Sequence, residues 1–181
     1  MDSIIRGANW YCEETNQRQR SEETRLPELS REMLPHSMGG GHFAFEIPAE
    51  IAALTAEMDV NGVHADLKGR FGREPGDWTN LRYYESLLNV FPADSNGSGQ
   101  STGKPRLRGR VVFLKGLLNG YGQGGVKGIK ASAVTRLRWS SIVLYHDIID
   151  GKTVHKMDIQ NNILIIDGHN YTAEHNQLIR A

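Results

Sequence analysis

Apolar and polar positions alternate most clearly over residues 129–148. Ile129, Ala131, Ala133, Thr135, Leu137 and Trp139 share one phase, and Lys130, Ser132, Val134, Arg136 and Arg138 the other. Side chains of a strand alternate faces, so this run predicts a strand with one mostly apolar face and one charged face. At Ser140-Ser141 the phase slips, and Ile142, Leu144 and Ile148 continue on the opposite parity. An inserted residue, a β-bulge, produces such a slip. Twenty residues at ~3.3 Å each would reach roughly 65 Å, so the strand is expected to bend. Asp150-Gly151 follows, between Ile148-Ile149 and Val154, as the turn of a tight hairpin whose central residues need positive φ. A return strand is expected over 152–160 and a short apolar one over 163–166, which makes a β-meander.

The rest of the chain reads as more strands and one helix. Residues 4–12 predict a short strand or arm, Thr24 to Met33 a weak strand broken by Pro27, and Phe43 to Ile47 a strand ending at Pro48. His36 to His42, with three consecutive glycines, is expected to be a flexible loop. Ala49 to Met58 fits helical and strand periods equally, and Val63 to Phe71 reads as a strand after the Asn61-Gly62 turn. Asp77 is placed to cap a helix whose stripe is Trp78, Leu81, Tyr84 and Leu88, closed by Pro92. Ala93 to Lys104 is expected to be a surface loop, Leu107 to Leu118 a strand, and Asn119 to Gly125 a glycine-rich connection. The last thirteen residues, 169–181, read as a polar tail.

Composition places this chain of 181 residues among ordinary globular proteins, with 39% hydrophobic and 23% charged residues, enough for one domain with a real core. No apolar run reaches the length of a membrane helix, and the start lacks the pattern of a secretory signal, so a cytoplasmic product is expected. Cys12 is the sole cysteine, which excludes an internal disulfide and leaves a small half-buried residue at a strand end or a bridge to a neighbouring chain. The formal net charge is zero but unevenly spread. Residues 1–100 are acidic, whereas residues 101–146 carry Lys104, Arg106, Arg108, Arg110, Lys115, Lys127, Lys130, Arg136 and Arg138 with no carboxylate among them. Arg106, Arg108 and Arg110 share a strand face, as do Arg136 and Arg138. If the two strands pair, these faces are placed to coincide, and like charges opposite one another destabilise a sheet. Nucleic acid, the acidic half of the same chain, or that of a neighbouring copy would compensate them.

No catalytic constellation emerges. Gly120-x-Gly122-x-x-Gly125 has dinucleotide-fingerprint spacing, but it leads into another strand rather than a helix N-terminus, and no acid follows before Asp147. A hairpin loop is the simpler reading. The seven histidines lack metal-ligand spacing, and His146 with Asp147 and Asp150 reads as a group of exposed turn residues. Ser140-Ser141 has no nucleophile elbow around it. No enzyme activity, cofactor or metal is expected.

A family resemblance rests on short motifs that occur in order. They are the Ser37-Met38-Gly39-Gly40-Gly41 loop, the helix around Trp78 to Val90, the Arg108-Gly109-Arg110 strand entry and the strand through Arg136 to Tyr145. The Ile149-Asp150-Gly151-Lys152 hairpin and the Met157 to Asn162 segment complete the set. Through these the chain resembles the major tail tube protein of contractile-tailed bacteriophages, related to R-type pyocin and type VI secretion tube proteins. The resemblance implies a mainly β (α+β) fold, a β-sandwich or split barrel with one flanking helix and extended loops. It implies a single domain over 1–181, with an N-terminal arm at about 1–12 and a polar tail at about 169–181. Six copies would form a ring, and rings would stack into a tube inside a sheath, with baseplate or tail-tip and terminator proteins at its ends. Phage DNA would pass through the lumen without sequence-specific binding. The subunit would be assembled in the bacterial host cytoplasm into the virion tail, with no membrane partner.

The residues expected at contacts between subunits or rings are Met38, Gly39, Gly40, Gly41, His42, Asp150 and Gly151, with the basic faces Arg106, Arg108, Arg110, Arg136 and Arg138. These arginines are expected to meet acidic groups of a neighbour or the sheath rather than line the bore. The alternative is a soluble nucleic-acid-binding module using the basic block 104–138. Its aromatics, Phe113, Tyr121 and Trp139, are sparse for base stacking.

Overall fold

The computed structural model describes residues 3–37, 42–89, 106–125 and 133–180. The chain runs β1 (Ser3–Cys12), β2 (Thr15–Asn16), β3 (Ser21–Arg25), β4 (Arg31–Ser37), β5 (Ala44–Ile51) and β6 (Ala56–Asn61). Then come α1 (Ala65–Lys68), β7 (Thr79–Asn89), β8 (Arg106–Gln123), β9 (Val134–Ile149), β10 (Lys152–Asp158), β11 (Ile163–Ile166), β12 (His169–Asn170) and α2 (Ala173–Ile179). The fold is mainly β, as the alternating patterns predict. Ten strands form one sheet, in the order β12-β11-β10-β9-β8-β7-β1-β2 with β6 and β3 branching from β9, while β4 and β5 form a separate two-stranded ribbon.

The branch occurs at the predicted bulge. Along one edge β9 pairs with β8. Along the other, Val134–Trp139 pairs with β6 and Leu144–Ile149 with β10. Between these two partners Ser141 adopts a φ of 48°. Lys115 faces Leu144 and Leu117 faces Ser140, so residues 141–143 of β9 lie across from Gly116 alone. A Cβ on Gly116 would come within 3.0 Å of the Ser140 carbonyl oxygen and 3.1 Å of Ile142 Cγ1, which is why that position is glycine. The bulge turns β9 from one set of neighbours to another, and the inward residues on both sides of it close a single core. Trp10, Val60, Val112, Leu137 and Trp139 are all 0% exposed there. The hairpin at Asp150-Gly151 has the expected positive φ values, 51° and 77°.

Several elements differ from the sequence pattern. Residues 77–92 were expected to be helical, yet Thr79–Asn89 is strand β7, held between β1 and β8. Thr79, Leu81, Tyr83, Glu85 and Asn89 are buried alternately, so the period of two prevails where two backbone ladders flank the segment. Asp77 serves a turn, ion-paired to Arg73, with Gly76 at a φ of 113°. Val63 to Phe71 contains the short helix α1, which buries Leu67, instead of a strand. The expected weak strand around Pro27 is two strands, β3 and β4, one on each side of it. The expected glycine-rich connection at 119–125 is mostly strand, since β8 continues to Gln123. The 4–12 segment is β1, with Trp10 and Cys12 in the core. The polar tail folds into β12 and α2, where the Thr172 hydroxyl accepts from Leu164 N at 3.1 Å. The expected loop at Ala93–Lys104 and the first residues of the long strand, 129–132, lie outside the described residues.

Substitutions at two positions test this architecture. Leu137→Ala opens a cavity in the core and is expected to cost about 3 kcal/mol in urea unfolding. Ser141→Gly removes the strain of a left-handed residue and is expected to leave stability equal or raised, whereas Ser141→Val lowers it by about 1 kcal/mol or more.

Candidate assembly surfaces

Pairing of β8 with β9 does not stack the two basic faces. Arg110 lies opposite Ile149, whereas Arg136 and Arg138 lie opposite Gly122 and Gly120, far along β8. The long arginine side chains therefore cross strand positions that have none. A Cβ on Gly120 would sit 3.0 Å from the Arg138 Cβ. Gly120 and Gly122 are the first two glycines of the Gly-x-Gly-x-x-Gly spacing, and they belong to the strand rather than to a phosphate-cradling turn.

Arg108, Arg110, Arg136 and Arg138 each hold a carboxylate of their own chain. Arg136 forms a two-pronged pair with Asp59, at 3.0 Å to each oxygen, and Arg138 binds Glu57 at 2.8 Å, both across the β9–β6 ladder. Arg25 of β3 also reaches Glu57, so a charge lattice covers this face. Hydrogen bonds from Arg138 outweigh the opposing effect of desolvation and hold Glu57 below its ordinary carboxylate range. At the other end Arg108 pairs with Asp150, the turn residue, whose second oxygen accepts from Gly109 N at 3.2 Å. Of the compensations open to the sequence, the same chain supplies this one. Its sources are the acidic first half (Glu57, Asp59, Glu85) and the return hairpin (Asp147, Asp150). The Arg106 side chain and residues Met38, Gly39, Gly40 and Gly41 lie outside the described residues. His42 is exposed beside β5, and Gly151 completes the exposed turn.

The sequence pattern did not single out one cluster. Arg110 bridges Glu85 (3.1 Å) and Asp147 (2.7 Å), and Tyr145 donates to Asp147 at 3.3 Å. The carboxylate side chains are only 2% and 8% exposed. Hydrogen bonds to Asp147 raise Arg110 above its ordinary value, and burial pushes Tyr145 up to about 12. Asp147 is thus an interior strand residue and His146 a half-buried one, its Nε2 3.0 Å from the Thr153 hydroxyl. Neither is the exposed turn residue their neighbourhood in the sequence suggested. The expected phase after the bulge, Ile142, Leu144 and Ile148, holds only at Ile142: beyond it Tyr145 and Asp147 are the buried residues, while Leu144 and Ile148 are half-buried. His155 packs edge-on against Tyr145, and its Nδ1 is buried without a partner. Cys12 ends β1 as expected but is fully buried, 1% exposed, and burial pushes its thiol up to about 12.

Two surfaces remain open. The β4–β5 ribbon exposes Leu34, Phe45 and Ile47, and beside it Phe43 is 86% exposed. A groove of about 660 Å³ crosses β1, β7 and β8, lined by Arg6, Arg18, Tyr84, Ser86, Leu107 and Val111 among others. Among the described residues no group of histidine, cysteine and acidic side chains is arranged to hold a metal, and no helix is long and apolar enough to cross a membrane.

Comparison with known proteins gives a consistent picture. The family model described as phage tail tube protein FII matches residues 2–179. A chain from the sheath-tube complex of an extracellular contractile injection system (PVC), in the extended state, superposes with a TM-score of 0.53. It shares 9% identity, over 78% of this chain and 86% of that one. A chain from the sheath/tube terminator structure of the same kind of system also gives 0.53, with 10% identity over 81% and 94%. No curated protein sequence matches the chain.

Burial sets distinct responses to mutation and pH. Arg110→Met leaves two carboxylates buried without a cation and is expected to cost about 3 kcal/mol or more, while Arg136→Met, at an exposed pair, leaves the urea midpoint within error. Burial holds His155 and His146 below the ordinary 6.5, against the nearby Asp147, with Lys156 adding to the depression at His146. The unfolded chain therefore binds more protons just below pH 6.5, and stability falls as pH drops through that window toward the depressed values. Urea midpoints at pH 7.5 and 5.5 measure the slope, which His155→Phe is expected to reduce.

Proposed function

Because this chain belongs to the phage tail tube protein FII family, we propose that it is the structural, non-enzymatic subunit of the inner tube of a contractile tail. Six copies form a ring, rings stack head to tail, and the resulting tube lies within a sheath, closed by terminator and baseplate or tail-tip proteins. Phage DNA crosses its lumen without base-specific contacts, and the whole chain acts as one domain. The observation that carries this reading is the family match over nearly the full length. The likeness in fold to chains of sheath-tube and terminator assemblies supports it.

Two physical features agree with it. A chain with a filled core has no folding need to leave Leu34, Phe43, Phe45 and Ile47 in water, and exposed apolar side chains of this number mark a contact surface. On the β2 side, β1 pairs through Tyr11 and Cys12 and the Trp10 carbonyl accepts from Gln17 N, which leaves the edge of residues 3–9 without a strand beside it among the described residues. An open edge of that length calls for a further strand, and a ring of copies whose sheets join supplies one. A contact of this head-to-tail kind closes into a ring or runs on as a filament.

Negative-stain electron microscopy of the purified protein, at low and moderate salt and without nucleic acid, tests the proposal. Hollow rings or stacked tubes are expected. A monodisperse monomer at every concentration and salt would overturn it, and a salt-titrated DNA-binding assay would then be the next measurement.

A further inference from the structure

The β4–β5 ribbon stands apart from the ten-stranded sheet, and its construction specifies how it meets a partner. Leu34 pairs with Ile47 and His36 with Phe45 across the ribbon, so these four share one face. The His36 and Phe45 rings meet edge to face at 5.2 Å. Leu34, Phe45 and Ile47 are 50%, 44% and 43% exposed, so nothing among the described residues packs fully against this ridge. A two-stranded ribbon on its own is marginally stable in water, and it gains order when a face is covered.

The ribbon's edges are closed to strand addition. β4 carries Pro35 and β5 carries Pro48, each near the middle of its strand. Proline has no amide proton to offer an incoming strand and blunts the edge it occupies. Association must therefore run through the apolar face.

The groove across β1, β7 and β8 has the complementary character. Arg6 and Arg18 line it, and among the described residues neither has a carboxylate partner, unlike Arg108 and Arg110 beside them. Its walls include Tyr84, Leu107 and Val111. A Cβ placed on Gly109 would meet no atom within 4 Å, so there is room for side chains to enter. The ribbon strands carry Glu32, Glu46 and Glu50 against Arg31 alone, and Arg31 is already turned onto the Ala49 carbonyl. By alternation along β4, Glu32 lies on the ridge side with Leu34 and His36. Glu46, opposite Pro35, lies on the other face, so Glu32 is the acid that the apolar ridge brings to a basic, partly apolar groove on a second copy.

The geometry points to a docking contact between copies, in which the Leu34–Phe45–Ile47 ridge of one subunit seats face-on in the β1–β7–β8 groove of its neighbour. Glu32 then meets Arg6 and Arg18. This inference rests on the assembly reading and adds to it which surface is donated, which accepts, and that the contact is made by side chains rather than by added strands.

Charge reversal on the full chain tests the contact. Glu32→Arg alone, and Arg6→Glu with Arg18→Glu, are each expected to cut the pelletable tube fraction at least about tenfold. Combining all three is expected to restore it. All three residues are exposed, so urea midpoints should match the wild type. A second measurement reads the contact directly: Leu34→Cys with Ser86→Cys, oxidised in assembled tubes, is expected to give cross-linked chains on non-reducing gels. Wild-type tubes whose formation ignores the reversals, with no cross-link in the cysteine pair, would sink the docking and leave the tube reading intact. A wild-type chain that never assembles would sink both.

Discussion

The structure depends on one strand having three neighbours. β9 runs beside β8 on one edge, but its other edge is divided between β6 and β10 at the Ser141 bulge. A strand has only two edges, so such branching requires a place where the backbone changes direction. Ser140, Ser141 and Gly116 provide it. Before the bulge Leu137 and Trp139 face the core, and after it Ile142 and Tyr145 do. Beyond Ile142 the inward positions are Tyr145 and Asp147, and the charge of Asp147 is met inside by Arg110. The single core closed by Trp10, Met58, Val112 and Trp139 exists because both halves present apolar side chains to the same interior.

Electrostatics in this protein then follows from topology. The nine cations between residues 101 and 146 form a basic block in sequence, but among the described side chains Arg108 and Arg110 lie on one long strand and Arg136 and Arg138 on another, with carboxylates from elsewhere beside all four. Asp59 and Glu57 come from β6, Glu85 from β7, and Asp150 from the turn. The exposed pairs are screened by solvent and add little to stability. They do discriminate against wrong strand registers, since a two-residue slip of β6 against β9 would leave one facing acid–arginine pair where there are two. The buried Arg110 cluster acts differently. Two carboxylates share one guanidinium away from water, so removing the cation leaves both desolvated with no counter-charge.

How far the sequence revealed this can be argued residue by residue. The bulge, the Asp150-Gly151 hairpin and the mainly β class were legible, because parity and turn chemistry are local and both tolerate few alternatives. The helix expected from Asp77 to Pro92 was not a strand by any local sign strong enough to decide. Leu81 and Leu88 fit a helical stripe as well as Leu81 and Tyr83 fit an alternation. The ladders to β1 and β8 decide it, and those partners lie about seventy and thirty residues away in the chain. Long-range pairing also explains Asp147, which reads as a turn acid until its opposite number across β8, Val112, is known. The arginine positions were legible as a surface, but their partners were not, since nothing in a strand's own pattern says which strand will lie beside it.

The same reasoning explains why the molecule looks unfinished at its margins while its core is complete. Among the described residues seventeen buried hydrophobic side chains fill the interior, so the apolar side chains of the β4–β5 ribbon are not surplus from poor packing. They sit on a separate element, on one face, with edges blunted by proline and flanked by glutamates. That combination keeps a monomer from extending its sheet through the ribbon at random, yet leaves an apolar face that is favourable to cover. The open edge of β1 is the opposite case: a strand with free backbone groups, no proline between Ser3 and Cys12, and Ile4 and Ile5 in the open. One margin is made for side-chain contact and the other for strand contact. A subunit with two chemically different margins can join copies in two different directions without the two kinds of contact competing, and growth in two directions is what a closed ring that also stacks requires.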